Sequence, residues 1–369
     1  MKEIAKAWEH EIDLLHERLA GLFRRAELRQ RSLAYLKGLL GSVERKNGWQ
    51  LAEWTGEASP DGVQHVLERA QWASDAARNV LRDYVVEQLG ERDAALIVDE
   101  TRFLKKGEYS AGVQRQYSGT AGRIKNSQIR VFLCYAGNGA SAFIDRELYM
   151  PQGWIDYVSR CRAAGVPDTL EFATKPQLAR RMLERALDAG VLCGWVTDDE
   201  VYGGDRPLLL SLESREQPFV LAIKKNEPLW WQGPTWIRAD KIAQALPPQV
   251  WRRLSAGTGG KGERLYDWAL TPLWRLQLSA EERRFGHYLL VRRSRDETHD
   301  HAYYVVYAPR SKVTRLTLVN VADGRWENQS ECGLDQYEVR HWQGWYRHII
   351  LALLAHAVLA ALRAQAKKS

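Results

Sequence analysis

The sequence predicts an α/β protein organised around a mixed sheet, and three observations carry that expectation. Two short apolar runs end in acids: "AALIVDET" (94–101) and "LCGWVTDDEVYGG" (192–204). Runs of that length, bounded by turn residues, read as strands buried on both faces. "QIRVFLCYAG" (128–137) and "ASAFIDRELYM" (140–150) alternate around a glycine-containing turn, the pattern of a hairpin. "KPQLARRMLERALDAGV" (175–191) has helical spacing, opened by Pro176 and closed by Gly190.

"PFVLAIKKN" (218–226) adds a further strand. The order is then strand, two strands, helix, strand, helix, strand. That is the order of an RNase H-like mixed sheet with flanking helices, so residues 91–226 are expected to form the first part of such a core. Residues 227–320 differ: they are rich in Trp and Arg, with strand-like pieces such as "HYLLVRRS" and "AYYVVYAP". They read as a β-rich insertion. The chain is expected to return to helix from about residue 326 to 366, so that 321–369 completes the core.

Residues 1–90 read as helices. Apolar positions recur at helical spacing in "IDLLHERLAGLFRRAELRQRSLAYLKGLL", alongside Arg18, Arg24, Arg25, Arg29 and Arg31. "LAEWTGEASPDGVQHVLERAQW" reads as two short helices joined by a turn, with "SPDG" supplying the cap. A small basic bundle of this kind is expected to be a helical DNA-binding domain of the helix–turn–helix type. The bland alternative is a solvated basic face.

The net charge of +7 and the pI of about 9.1 favour a polyanionic partner, nucleic acid first. The four cysteines form no CxxC pair and read as reduced core residues, neither a disulfide frame nor a zinc site. "MKEIAKAWEHEIDLL" lacks the apolar run of a secretory signal. "IILALLAHAVLAAL" (349–362) is short for a membrane span and carries His356, so it reads as a buried core helix. No membrane partner is expected. The 15 tryptophans read as core or surface anchors, some of which could stack on bases.

Asp99 and Asp199 both sit just past apolar strands, where open α/β sheets line their sites. Two carboxylates brought together repel unless a cation lies between them. Oxygen ligands suit Mg²⁺, with Mn²⁺ a substitute. Two such ions about 3.5–4 Å apart stabilise the attacking and leaving oxygens of an in-line phosphoryl displacement.

"VDETRFLKKGEYSAGVQRQYSGTAGRIKNSQIRVFLCYA" closely resembles the first catalytic block of the IS701-family insertion-sequence transposases, members of the DDE superfamily. "WVTDDEVYGG" resembles their second block and "GLDQYEVRHWQGWYRHIILALLAHAVLAALRA" their C-terminal one, while "YLKGLLGSVERKNGWQLAEWTG" also matches. The resemblance spans nearly the whole chain. It implies that Asp99 is the first acid and Asp199 the second, with Asp198 standing where a small residue is usual. Glu100 and Glu200 follow the two acids and, pointing the other way from a strand end, are expected to be supporting residues. Arg115, Arg123 and Lys125, in the Gly- and Ser-rich loop "QRQYSGTAGRIKN", are expected to grip DNA phosphates. Lys105 and Lys106 are weaker candidates.

In this family the third acid lies on a helix shortly after R-W, in the form R-W-x-I-E, followed by a lysine and only then G-L-D-x-Y. Here Arg325 and Trp326 are present, but only "ENQSEC" (327–332) separates them from Gly333. The stretch is short by about two helical turns. Glu327, directly after the R-W pair, is the expected third acid and metal ligand. Glu331 is the alternative one turn on, and Glu338 a further one. Tyr202, Arg340, Trp345 and His348 lie in matching blocks and either orient the acids, touch DNA or pack.

The resemblance implies a DNA transposase that cleaves insertion-sequence ends and joins the 3′-hydroxyl to target DNA. Its partners would be duplex DNA with terminal inverted repeats and target DNA, bound as a homodimer in the bacterial cytoplasm and at the nucleoid. The shortened third motif keeps a second reading open: a derivative that binds element ends without cutting. A general nuclease is a third, disfavoured by the basic N-terminus and the β-rich segment.

Overall fold

The computed structural model describes residues 2–105, 107–118, 123–137, 139–198, 202–259, 262–277, 279–296, 300–323, 332 and 334–368. The chain opens with helices α1 (Lys2–Leu19), α2 (Ala26–Leu40), α3 (Gly48–Thr55), α4 (Asp61–Gln64) and α5 (Ser74–Leu89). Strands β1 (Ala95–Leu104), β2 (Gln114–Ser118), β3 (Arg123–Gly137) and β4 (Ala140–Leu148) follow, then helices α6 (Gln152–Ile155), α7 (Val158–Ala163) and α8 (Lys175–Asp188). Next come β5 (Trp195–Asp198), α9 (Arg206–Ser214), β6 (Phe219–Ile223), β7 (Pro228–Trp230), β8 (Trp236–Arg238) and α10 (Ala239–Ala245). The chain ends with β9 (Arg252–Gly259), β10 (Gly262–Pro272), α11 (Ala280–Arg284), β11 (Phe285–Arg293), β12 (His301–Pro309), α12 (Arg315–Asp323) and α13 (Trp342–Lys368).

These elements form two compact units, one of residues 1–90, 100–191 and 327–369, the other of residues 91–99 and 192–326. In the first, β3 pairs antiparallel with β2 and β4, and α13 is packed by α1, α2, α5 and β4. Ile349, Ile350, Leu351, Leu353 and Leu354 of α13 are fully buried. A helix apolar on every face needs neighbours on every face, and these helices and β4 provide them. The span Trp342–Lys367 is long and apolar enough to cross a membrane, but 72% of its most apolar window is buried inside the fold, as the core-helix reading expects. Trp345 and His348 are buried there, and the Tyr35 hydroxyl of α2 lies 2.7 Å from His348 Nδ1.

Helix α8 starts where the sequence signals it. Thr174 and Gln177 form a capping box, Pro176 sits in the first turn, and Gly190 follows the last turn at φ +77°. The C-terminal helix does not start where expected. It begins at Trp342, and described residues before it are turn and coil. Their main-chain groups are committed elsewhere: Ala111 N donates to Arg340 O (2.9 Å), Lys105 Nζ to Tyr337 O (3.2 Å) and Trp342 N to Ala164 O (2.8 Å). Tertiary partners thus outcompete the helical ladder in this stretch.

The second unit is built on a mixed sheet. β1, β5 and β6 run parallel, and β12 pairs antiparallel with β6, continuing through β11, β10 and β9 as a meander. The strands expected in the β-rich segment therefore continue this sheet through β12, with Tyr303 opposite Ile223 and Tyr307 opposite Phe219. Helix α12 packs against β5, β6 and β9. Its last residue, Asp323, is held by Arg264 of β10 (3.1 Å) and Arg292 of β11 (3.0 Å).

Candidate active site

Asp99 follows the buried apolar run of β1 and is itself 3% exposed. β1 and β5 are parallel, with Ala95 opposite Trp195 and Val98 opposite Asp198. Parallel strands in level register bring their C-terminal ends to the same sheet edge. Four register pairs thus bring Asp99 level with the end of β5. Asp199 lies outside the described residues, as do Glu200, Glu327 and Glu331.

Asp198 is described, and its environment is structural. Its Oδ1 accepts from Ala222 N (2.8 Å) and its Oδ2 from Tyr202 N (3.2 Å). One carboxylate thereby fastens the end of β5 to β6 and to the turn that follows. Tyr202 is buried. The next residue, Gly203, donates its amide to Ala222 O (2.9 Å), and a Cβ there would stand 2.8 Å from Leu221 O, Ala222 O and Ile223 Cγ2. The glycine of the "VYGG" motif is required by close backbone approach.

Glu100 points into a separate cluster, as a strand neighbour of Asp99 should. Its side chain, 4% exposed, is paired with Arg102 (2.7 Å) and with Lys175 at the start of α8 (2.8 Å). Among the described residues no group of three or more His, Cys, Asp or Glu side chains is arranged to hold a metal ion. The described member of the expected ligand set, Asp99, offers carboxylate oxygen, the donor a hard divalent cation takes. Asp198 and Glu100 are engaged by amides and cations instead.

The expected DNA-gripping loop is a hairpin. Arg115 sits on β2 opposite Asn126, and Lys125 on β3 opposite Gln116. Arg123 is opposite Ser118 on β3. Alternation puts Lys125 on one face and Arg115 on the other. Arg115 and Lys125 are exposed; the tip, 119–122, and Lys106 lie outside the described residues. Lys105 is not a surface cation: its Nζ lies 3.3 Å from the centroid of the Tyr337 ring. Burial and the nearby Arg130 guanidinium lower its pKa to about 7.

The hairpin's outer residues join a cleft of about 740 Å³ that includes Arg115, Arg160, Arg340 and His341. Arg160 and His341 were not singled out from the sequence. "WIDYVSRCR" (154–162) mixes aromatics with cations and was the available signal.

Residues 18–259, well over half of the chain, match the DDE superfamily endonucleases, and the chain belongs to that family. Within it the chain is IS701-like. Over 190 residues it is 25% identical to the "Probable transposase for insertion sequence element IS701" of Microchaete diplosiphon. That alignment covers 51% of this chain and 47% of the relative, so the chain spans about half the length of the curated relative it matches. The NurA nuclease of Sulfolobus solfataricus aligns over 80% of this chain and 92% of its own at 9% identity and a TM-score of 0.27, a likeness too loose to bear on fold or function. The family match takes in both aspartate blocks and ends before the R-W segment at 325–326.

Proposed function

We propose that this chain is an insertion-sequence transposase with an RNase H-like core. It cleaves DNA at the element's ends and joins the freed 3′-hydroxyl to target DNA by two-metal phosphoryl transfer. The carrying observation is the level register of β1 and β5, which brings Asp99 level with the end of β5 at Asp198 in a chain of the DDE endonuclease family. Both oxygens of Asp198 are engaged by main-chain amides, which supports Asp199 as the second acid. Glu327 is the proposed third.

Bound Mg²⁺ or Mn²⁺ would activate the attacking water or 3′-hydroxyl and neutralise the leaving oxygen. The protein's own part is positional. Asp99, Asp199 and Glu327 would hold the ions as oxygen donors. Asp198 fixes the strand end on which Asp199 is carried. Glu100, paired with Lys175 and Arg102, ties the following part of β1 to α8. Arg115, Arg123 and Lys125 hold phosphates, and the basic helices of residues 1–90 are the proposed end-binding domain. No covalent protein–DNA intermediate is required, because the nucleophiles are water and a 3′-hydroxyl. The partners are duplex DNA with terminal inverted repeats and target DNA, engaged by a homodimer in the bacterial cytoplasm and at the nucleoid.

A second reading has its own observation. Only six residues, 327–332, separate Trp326 from Gly333. A chain shortened there would bind element ends without cutting them. A cleavage assay with Mg²⁺ or Mn²⁺ on a duplex carrying the element's inverted repeats separates the two. Boundary cleavage that disappears in Asp99→Ala supports the working enzyme, and Glu327→Ala and Glu331→Ala then identify the third acid. Gel-shift binding without cleavage in either metal supports the relic.

A further inference from the structure

The cleft that opens around the β2–β3 hairpin carries chemistry the acid centre does not use. Its walls come from the segment after β1, from β2, from α6 and α7, and from the residues leading into α13. Arg115, Arg160 and Arg340 line it against one carboxylate, Glu108, and His341 adds a titratable group. Arg160 is anchored, donating to Glu108 O (2.8 Å) and lying 3.9 Å from the Trp154 ring centroid. Arg115 and Arg340 are exposed and have no ion-pair partner among the described residues.

The aromatic rings here are the second observation. Tyr109 and Tyr157 are 77% and 63% exposed, the two most exposed large aromatic side chains among the described residues, and both line this cleft. Most other tyrosines in this fold are buried or half-buried. Rings left in water beside unpaired guanidinium groups form a surface suited to base stacking with phosphates alongside. Paired bases in a duplex keep their faces stacked on one another and offer grooves only their edges. Only an unpaired strand offers its base faces to tyrosines. At about 740 Å³ the cleft is also within the size range of small-molecule sites.

We propose that this cleft binds an unpaired stretch of DNA strand, its bases on Tyr109 and Tyr157 and its phosphates on Arg115 and Arg340. The choice of DNA rests on the transposase reading above; the preference for an unpaired strand rests on the exposed rings.

The test is fluorescence anisotropy on the full chain with a short labelled single strand, the same sequence as duplex, and its ribonucleotide version. Tyr109→Ala/Tyr157→Ala is expected to weaken single-strand binding about tenfold or more and duplex binding by less than about twofold. Tyr109→Phe/Tyr157→Phe, which keeps the rings, is expected to bind as the wild type does, and Arg340→Gln to weaken binding with a shallower salt dependence. The proposal is overturned if the wild type does not bind the single strand, if the double alanine variant binds it unchanged, if single strand and duplex weaken alike, or if the RNA strand binds more tightly than DNA. Failure to bind or cut element-end duplex, with tyrosine-dependent single-strand binding intact, would sink the transposase reading and leave the cleft assignment standing.

Discussion

Val98 on β1 is the register partner of Asp198 on β5, so Asp99 follows the apolar run of β1 level with the end of β5. Asp198 itself is a fastening, with one oxygen on Ala222 N and the other on Tyr202 N. Asp198 therefore holds the backbone at the end of β5. Asp198→Asn keeps one acceptor and turns an NH₂ toward the second amide. It is expected to lower unfolding stability by about 1–3 kcal/mol, the cost of a buried donor without a partner. Urea denaturation with an unchanged m-value would show this, and a midpoint equal to the wild type would contradict it.

Asp99→Asn tests the other role. It is expected to abolish boundary cleavage and also to remove the metal-linked rise in melting temperature. A ligand that binds the folded state alone stabilises it by mass action, so Mn²⁺ titration should raise the wild-type Tm and leave the variant's flat. A variant that still gains stability with Mn²⁺ would take Asp99 out of the metal site. Chelation with EDTA should return the wild type to its metal-free Tm.

Gly203 lies beside Asp198's partners. A methyl group there meets two carbonyl oxygens and Ile223 at 2.8 Å, and the carbonyls belong to a strand. Gly203→Ala is expected to cost about 1–3 kcal/mol through overpacking. Because the displaced atoms are on β6, next to the Asp198 contact, reduced cleavage should accompany the lost stability. A thermal melt within error of the wild type would contradict the close approach.

Much of this frame is legible in the sequence because its signals are local. β1 and β5 read as apolar runs because parallel strands are covered on both faces. The start of α8 is written in Thr174, Pro176 and Gln177. What could not be read depends on partners far along the chain. Asp198's function requires Ala222, and the coil before α13 requires Ala111 and Ala164 to take up main-chain bonds. Arg115 and Lys125 sit in a Gly- and Ser-rich stretch whose composition points to a loop, yet antiparallel pairing makes their flanks strands. "HYLLVRRS" and "AYYVVYAP" lie in strands β11 and β12, but composition alone could not show that β12 joins β6.

In the first unit, Asp145 of β4 is 4% exposed and is bonded by Arg185 of α8 at 2.9 Å, while Arg185 also holds Glu147 at 2.6 Å. Arg146, fully buried, reaches Asp75 of α5 at 3.0 Å. Burial alone would lower the Arg185 pKa, but Asp145 and Glu147 together raise it. Asp145→Ala removes the buried carboxylate that Arg185 holds beside Glu147 and is expected to cost about 1–3 kcal/mol, since Arg185 keeps Glu147 and Arg146 keeps Asp75. Restoring much of that loss in Asp145→Ala/Arg185→Leu would confirm coupling between the pair, whereas strictly additive effects would deny it.

Lys105 gives a pH signature with a definite sign. Its ammonium is held against the Tyr337 ring and near Arg130, whose guanidinium bonds the same tyrosine's hydroxyl. Burial first, then the Arg130 charge, lowers its pKa from 10.5 to about 7. Between those two values the unfolded chain holds a proton that the folded chain has released, so stability rises with pH across the window. Below the folded value both states are charged and the penalty is fully present; above the unfolded value it is gone. Lys105→Met should therefore be more stable than the wild type at about pH 6, and the difference should shrink steadily toward about pH 10. Urea midpoints for both chains across that range measure it. A difference that stays constant with pH would mean that Lys105 keeps its proton in the folded state and that its contact with Tyr337 is a charged one throughout.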